Sequence, residues 1–177
     1  MTLAGYETFL LSKRRDDFAC GQDVSESKLP AMLFPFQRAL VRWALRKGRA
    51  ALWADTGLGK TYMQLAWSQH IPGRVLILAP LCVGQQTIRH GQTLGVSVGL
   101  HVGSGERIEI TNYERLHQIK PEEYQGIVLD ESSILKAFDG KTRSRLIAMF
   151  RDTPWRLCCT ATPAPNDIAE LANHCEF

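Results

Sequence analysis

No segment of the 177-residue chain approaches the roughly 20 consecutive apolar residues that a membrane-spanning helix needs, so no transmembrane helix is expected. The opening residues, MTLAGYETFLLSKRRDD, lack the basic start, apolar stretch and small-residue cleavage site of a secretory leader, and the expected location is the cytoplasm. Cysteine is sparse. The five, Cys20, Cys82, Cys158, Cys159 and Cys175, show no C-x-x-C spacing, which argues for small packing residues over metal ligands or disulfides. His174 beside Cys175 is too isolated to make a metal site. Neither charge sign dominates: 21 Lys and Arg stand against 18 Asp and Glu, a net +3 with pI about 8.7, compatible with a nucleic-acid partner without demanding one. There is no internal repeat and no low-complexity segment. A chain this long buries about 70% of its unfolded surface, enough for one self-standing core.

The stretch from Ala54 to Thr61 (ADTGLGKT) has the composition of a phosphate-binding loop. Glycines let backbone N–H groups turn inward around phosphates, Lys60 brings a point charge to the β and γ phosphates, and the Thr61 hydroxyl is placed to ligate Mg²⁺. The general form begins with Gly, where this chain has Ala54, small enough for the same tight turn. Arg49 to Trp53 (RAALW) reads as a short buried strand before the loop and Thr61 to Gln69 as an amphipathic helix after it. That helix adds its N-terminal dipole to phosphate binding. Asp55, Thr56, Gly57, Leu58, Gly59, Lys60 and Thr61 are the expected nucleotide contacts.

Residues 1–28 are polar and mixed in charge, and read as a short helix near Tyr6 to Lys13 followed by a loose connector; residues 29–177 read as one nucleotide-binding domain. The Lys13-Arg14-Arg15 triplet is followed at once by two aspartates and reads as a solvated face. Phe36 to Lys47 carries Phe36, Ala39, Leu40, Trp43, Ala44 and Leu45 at helical spacing, with Pro35 suited to the first turn and Gly48 just past the end. Val75 to Ala79, Arg107 to Thr111, Gly126 to Asp130 and Arg156 to Thr160 read as further strands. Continuously apolar strands alternating with helices predict an α/β fold with a mostly parallel sheet covered on both faces, a three-layer sandwich.

Ile127-Val128-Leu129-Asp130-Glu131 delivers two adjacent carboxylates at the C-terminal end of a strand, where ligand sites of α/β sheets form. Asp130 is placed to hold Mg²⁺ and Glu131 to polarise an attacking water as general base. Such a pair also serves as a helix cap, and it is the upstream phosphate loop that favours the catalytic reading. Thr160-Ala161-Thr162-Pro163 ends the next strand, with two hydroxyls near the γ-phosphate region.

In this order the elements resemble the first RecA-like lobe of superfamily 2 helicases and translocases, in the SWI/SNF-type branch. The resemblance covers nearly the whole chain. Phe34-Pro35-Phe36-Gln37 looks like the Q motif, which makes Gln37 the implied reader of adenine and ATP the implied nucleotide. Residues 54–61 match motif I. Leu78-Ala79-Pro80-Leu81 with Gln85-Gln86 looks like motif Ia, and Ile110-Thr111-Asn112-Tyr113-Glu114 like motif Ib. Pro80, Thr111, Asn112 and Tyr113 are thereby implied to meet nucleic acid. Asp130-Glu131-Ser132-Ser133 takes the place of motif II, and Thr160, Ala161 and Thr162 that of motif III, which couples hydrolysis to nucleic-acid binding. Ser133 stands where many relatives have His, and Ala137, after Lys136, where they have Asn. Leu-Phe-Pro-Phe-Gln together with Leu-Asp-Glu-Ser-Ser-Ile-Leu-Lys resembles phage and prophage helicases in particular.

The resemblance implies an ATP- and Mg²⁺-dependent motor acting on DNA, duplex ahead of single strands and with RNA as the other polymer. It also implies a second RecA-like lobe, supplied in cis or in trans, that carries the arginine fingers. Missing fingers cost about 10³ to 10⁵ in rate, so this lobe alone is expected to bind ATP and turn it over slowly. Arg143 and Arg145 read as a surface helix face, and the four tryptophans as packing residues. Two other classes compete: a non-catalytic nucleotide- or DNA-binding module that retains the ATPase fold, and a small P-loop kinase or GTPase. A GTPase needs an Asn-Lys-x-Asp guanine reader, which the chain does not contain.

Overall fold

The apolar runs VLILA and GIVLD, each too short for a stable helix and rich in Val, Ile and Leu, become strands buried on both faces. In the computed structural model the described residues are 19–136, 140–164 and 168–177. The helix expected near Tyr6 to Lys13, the Lys13-Arg14-Arg15 triplet and Ala137 lie outside them. The strands are β1 (Arg49–Trp53), β2 (Val75–Ala79), β3 (Gly99–Leu100), β4 (Ile108–Asn112), β5 (Gly126–Asp130) and β6 (Trp155–Thr160). They form one sheet in the order β1-β6-β5-β2-β4-β3, with every pairing parallel. The expected α/β sandwich with a parallel sheet is what forms.

Alternation along the strands divides the core in two. Val75, Ile77, Val128, Leu157 and Cys159 face one layer, built from α1 (Pro35–Lys47), α2 (Lys60–His70) and α3 (Gly84–Leu94). Leu76, Leu78, Ile127, Leu129 and Cys158 face the other, where Leu146 and Phe150 of α4 (Lys141–Met149) and its end, and Phe177 after α5 (Leu171–Glu176), close the core.

Two helices differ from their apolar pattern. In α1 the inward stripe is Gln37, Val41, Ala44 and Leu45, whereas Phe36 and Trp43 turn outward, 44% and 37% exposed. The i, i+4, i+7, i+8 spacing of the buried set is the stripe one helix face provides, and the two aromatics fall off it. α2 is buried almost all round, from Met63 to Ser68, because it lies between α1, α3 and the sheet. The connector before α1 is tied down: the N–H groups of Cys20, Gly21 and Gln22 donate to the carbonyls of Lys47, Arg46 and Leu45. Arg42 Nε holds the Val24 carbonyl at 2.8 Å.

Candidate nucleotide site

Parallel register alone collects the chemistry on one rim. Trp53 pairs with Thr160, Cys159 with Asp130, Leu129 with Leu78 and Ala79 with Asn112, so the C-terminal ends of β1, β6, β5, β2 and β4 lie side by side. The residues that follow them are the sequence candidates: the 54–61 loop, Thr160–Thr162, Asp130–Glu131, Pro80 and Tyr113. Ligand sites of parallel sheets form at this edge.

The loop leaves β1 through buried Ala54, which packs in the core. Gly57 and Gly59 take φ values of +80° and +76°, left-handed backbone that delivers the chain into α2. A Cβ at Gly59 would stand 2.4 Å from Gln37 Nε2, so any side chain there displaces the Gln37 amide. Lys60 Nζ donates back to the carbonyls of Ala54 at 3.0 Å and Asp55 at 3.2 Å, which holds the ammonium at the loop's mouth. Asp55 Oδ1 accepts the Thr56 N–H at 2.7 Å and stiffens the first half of the loop. Thr61 is half-buried in the first turn of α2.

Gln37 sits beside the loop, with both amide atoms engaged. Oε1 accepts the Phe34 N–H at 2.9 Å and Nε2 donates to the Leu58 carbonyl at 3.0 Å. Its first contact in this structure is the loop itself.

Asp130 is buried, and burial is the main force raising its carboxyl above the ordinary range; the Gln64 hydrogen bond works against it and the neighbouring Glu131 charge adds to it. Gln64 Nε2 reaches Asp130 Oδ1 at 2.6 Å. The Asp130 carbonyl accepts the Tyr113 hydroxyl at 2.6 Å, and burial pushes that phenol well above its usual value. Tyr113 therefore turns its hydroxyl inward as a strut under Asp130, with the residue half-buried. Glu131 has φ +52°, left-handed backbone on a non-glycine residue, and its carboxylate stands exposed at the rim. Thr160 is fully buried; its hydroxyl lies 3.4 Å from Glu131 Oε2 and accepts the Thr162 N–H at 3.1 Å. It orients Glu131 from beneath, while Thr162 is exposed and Ala161 half-buried.

Pro80, Gln85, Thr111, Asn112 and Arg115 line a separate cleft of about 200 Å³ farther along the rim. Among the described residues no group of three or more His, Cys, Asp or Glu is placed to hold a metal, so a cation here needs oxygens from the nucleotide beside Asp130 and Thr61. The glycine-built turn, the lysine at its mouth and the buried carboxylate fit a Mg²⁺-nucleotide.

Sequence reasoning missed two groups. Gln64 lies four residues after Lys60, so the signal was a polar residue inside an otherwise apolar helical run. His174, 8% exposed, comes within 3.5 Å of Ser132 and meets the Trp53 ring edge-on, and burial lowers its pKa. No local signal pointed to that meeting.

No protein-family model and no curated protein matches the chain. Solved structures do. The Sulfolobus solfataricus SWI2/SNF2 ATPase core, determined in complex with dsDNA, superposes with a TM-score of 0.70 over 86% of this chain and 37% of its own, at 22% identity. The fold is the RecA-like fold of helicases. The UvsW helicase from bacteriophage T4 shares this RecA-like fold with a TM-score of 0.69 at 12% identity, over 100% of this chain and 66% of that one. The helicase domain of Pyrococcus furiosus Hef gives 0.63 at 16% identity, over 78% and 34%. The chain thus spans between a third and two thirds of these structures. No helix among the described residues is long and apolar enough to cross a membrane.

Proposed function

We propose that the chain is the ATP-binding lobe of an ATP-dependent DNA helicase or translocase. The observation that carries this reading is the shared rim: parallel register sets the 54–61 loop, the Asp130–Glu131 pair and Thr160 side by side at one sheet edge. The likeness of the fold to helicase lobes supports it. Lys60 exchanges its two loop carbonyls for phosphate oxygens, and the N–H groups around Gly57 and Gly59 complete the cradle. Thr61 and Asp130 hold Mg²⁺, which supplies charge to the β and γ oxygens when bound. Glu131, oriented by Thr160, takes the proton of the attacking water as its oxygen bonds to the γ-phosphorus and the bridging oxygen leaves with ADP. A second RecA-like lobe, in cis or in trans, supplies the remaining charge and closes the cleft on DNA. The cleft at Pro80, Thr111 and Asn112 is the proposed contact with the polymer.

The test is equilibrium binding of a fluorescent ATP analogue, paired with steady-state turnover with and without duplex DNA. Lys60→Ala lowers affinity by about 10- to 100-fold, the worth of a charge-assisted hydrogen bond of about 1.5–3 kcal/mol. Glu131→Gln keeps affinity and loses about 10²- to 10⁴-fold in turnover. Equal affinity in wild type and Lys60→Ala would sink the reading.

A further inference from the structure

α2 places a polar residue where packing asks for an apolar one. The helix is buried from Met63 to Ser68, and Gln64 within it is 1% exposed. An amide carries two donors and two acceptor sites, each costly to bury unpaired. Its Nε2 meets Asp130 Oδ1 at 2.6 Å, the shortest way for α2 to grip the end of β5. The same amide also meets the buried Cys159 thiol of β6. Lys60 and Gln64 are one turn apart on the same helix face, so one rigid element carries both the phosphate lysine and the anchor of Asp130.

We propose that Gln64 is a positioning residue for the metal-binding carboxylate: Nε2 fixes one oxygen of Asp130 and so sets the direction in which the carboxylate would meet the cation. The inference rests on the reading of Asp130 as a Mg²⁺ ligand of the nucleotide site. Partners that orient metal ligands typically contribute 10- to 100-fold in metal affinity.

The experiment titrates Mg²⁺ from an EDTA baseline while a fluorescent ATP analogue reports binding, so it needs no turnover. Gln64→Met fills the same space without the amide; it binds the analogue in EDTA as wild type does and requires about tenfold more Mg²⁺ for half of the metal-dependent tightening. Gln64→Asn, too short to reach Asp130, shows the same shift and serves if the methionine variant melts below the assay temperature. Asp130→Asn combined with Gln64→Met is no worse than Asp130→Asn alone, because the amide acts through the carboxylate. A Mg²⁺ requirement unchanged in both Gln64 variants, or additive losses in the double variant, overturns the inference while leaving the nucleotide site intact. Wild type that binds the analogue no better than Lys60→Ala overturns the nucleotide reading and this inference with it.

Discussion

The side-chain amide of Gln37 donates to the Leu58 carbonyl at 3.0 Å and, through its oxygen, receives the Phe34 N–H at 2.9 Å, tying the start of α1 to the crest of the phosphate loop. A side chain 5% exposed and bonded at both ends acts first as a strut. Gln37→Ala is expected to lower affinity for ATP and GTP analogues together, as the loop loses its brace, and to cost about 1–3 kcal/mol of stability through the unpaired Leu58 carbonyl and Phe34 N–H. Parallel titrations with the two nucleotides decide the matter. A loss confined to ATP would make Gln37 the adenine reader that its resemblance to the Q motif implies.

The two loop glycines make a graded pair. Both have positive φ, but a Cβ at Gly57 meets nothing within 4 Å, whereas one at Gly59 collides with Gln37 Nε2 at 2.4 Å. Gly57→Ala carries the backbone strain alone, on the order of 1 kcal/mol, and Gly59→Ala adds displacement of the strut, for about 2–3 kcal/mol. Chemical unfolding midpoints rank the variants with Gly59→Ala lower. Equal midpoints would show that Gln37 moves aside without cost.

Much of this site is legible in the chain because its physics is local. Left-handed backbone at Gly57 and Gly59 asks for glycine, and strands such as VLILA and GIVLD, buried on both faces, announce themselves as unbroken apolar runs. What stays hidden depends on partners distant in sequence. Gly99–Leu100 is a strand only because Glu109 and Ile110 pair with it, and its two residues carry no period. The burial of Gln37 in place of Phe36 follows from the direction in which α1 faces the loop. The inward turn of Tyr113 depends on β4 and β5 flanking β2, a sheet order that no local window contains.

Burial separates the cysteines into two chemical classes. Burial pushes the Cys158 thiol up to about 12 and that of Cys159 well above its ordinary value, whereas Cys20, Cys82 and Cys175 are exposed. The thiolate is the reactive form, so the two buried thiols are inert at neutral pH. A chromogenic disulfide reagent at pH 8 is expected to titrate three thiols in the native protein and five in denaturant. Rapid native reaction of a fourth would mean that β6 opens far more readily than its packing allows.

Glu109 carries a pH dependence of its own, remote from the rim. It is 2% exposed beneath β4, where its carboxylate accepts from the Tyr124 hydroxyl at 2.6 Å, meets His101 Nδ1 at 3.0 Å and pairs with Arg74 at 3.0 Å. Burial alone would raise its pKa, but the Tyr124 and His101 hydrogen bonds and the Arg74 charge outweigh it and hold the carboxyl below its ordinary 4.5. A carboxyl depressed in the folded state binds its proton more weakly there than in the unfolded chain. Its stabilisation is therefore complete above about pH 4.5 and lost as pH falls through the folded value. Glu109→Gln preserves shape but removes the charge, and is expected to cost roughly 1–3 kcal/mol at pH 7 by leaving Arg74 and the Tyr124 hydroxyl poorly matched. The two proteins converge as pH falls through that depressed folded value, because wild type then loses the same charge. Urea midpoints from pH 7 to pH 3 give the two curves, and curves that stay parallel throughout would show that the network adds nothing to acid stability.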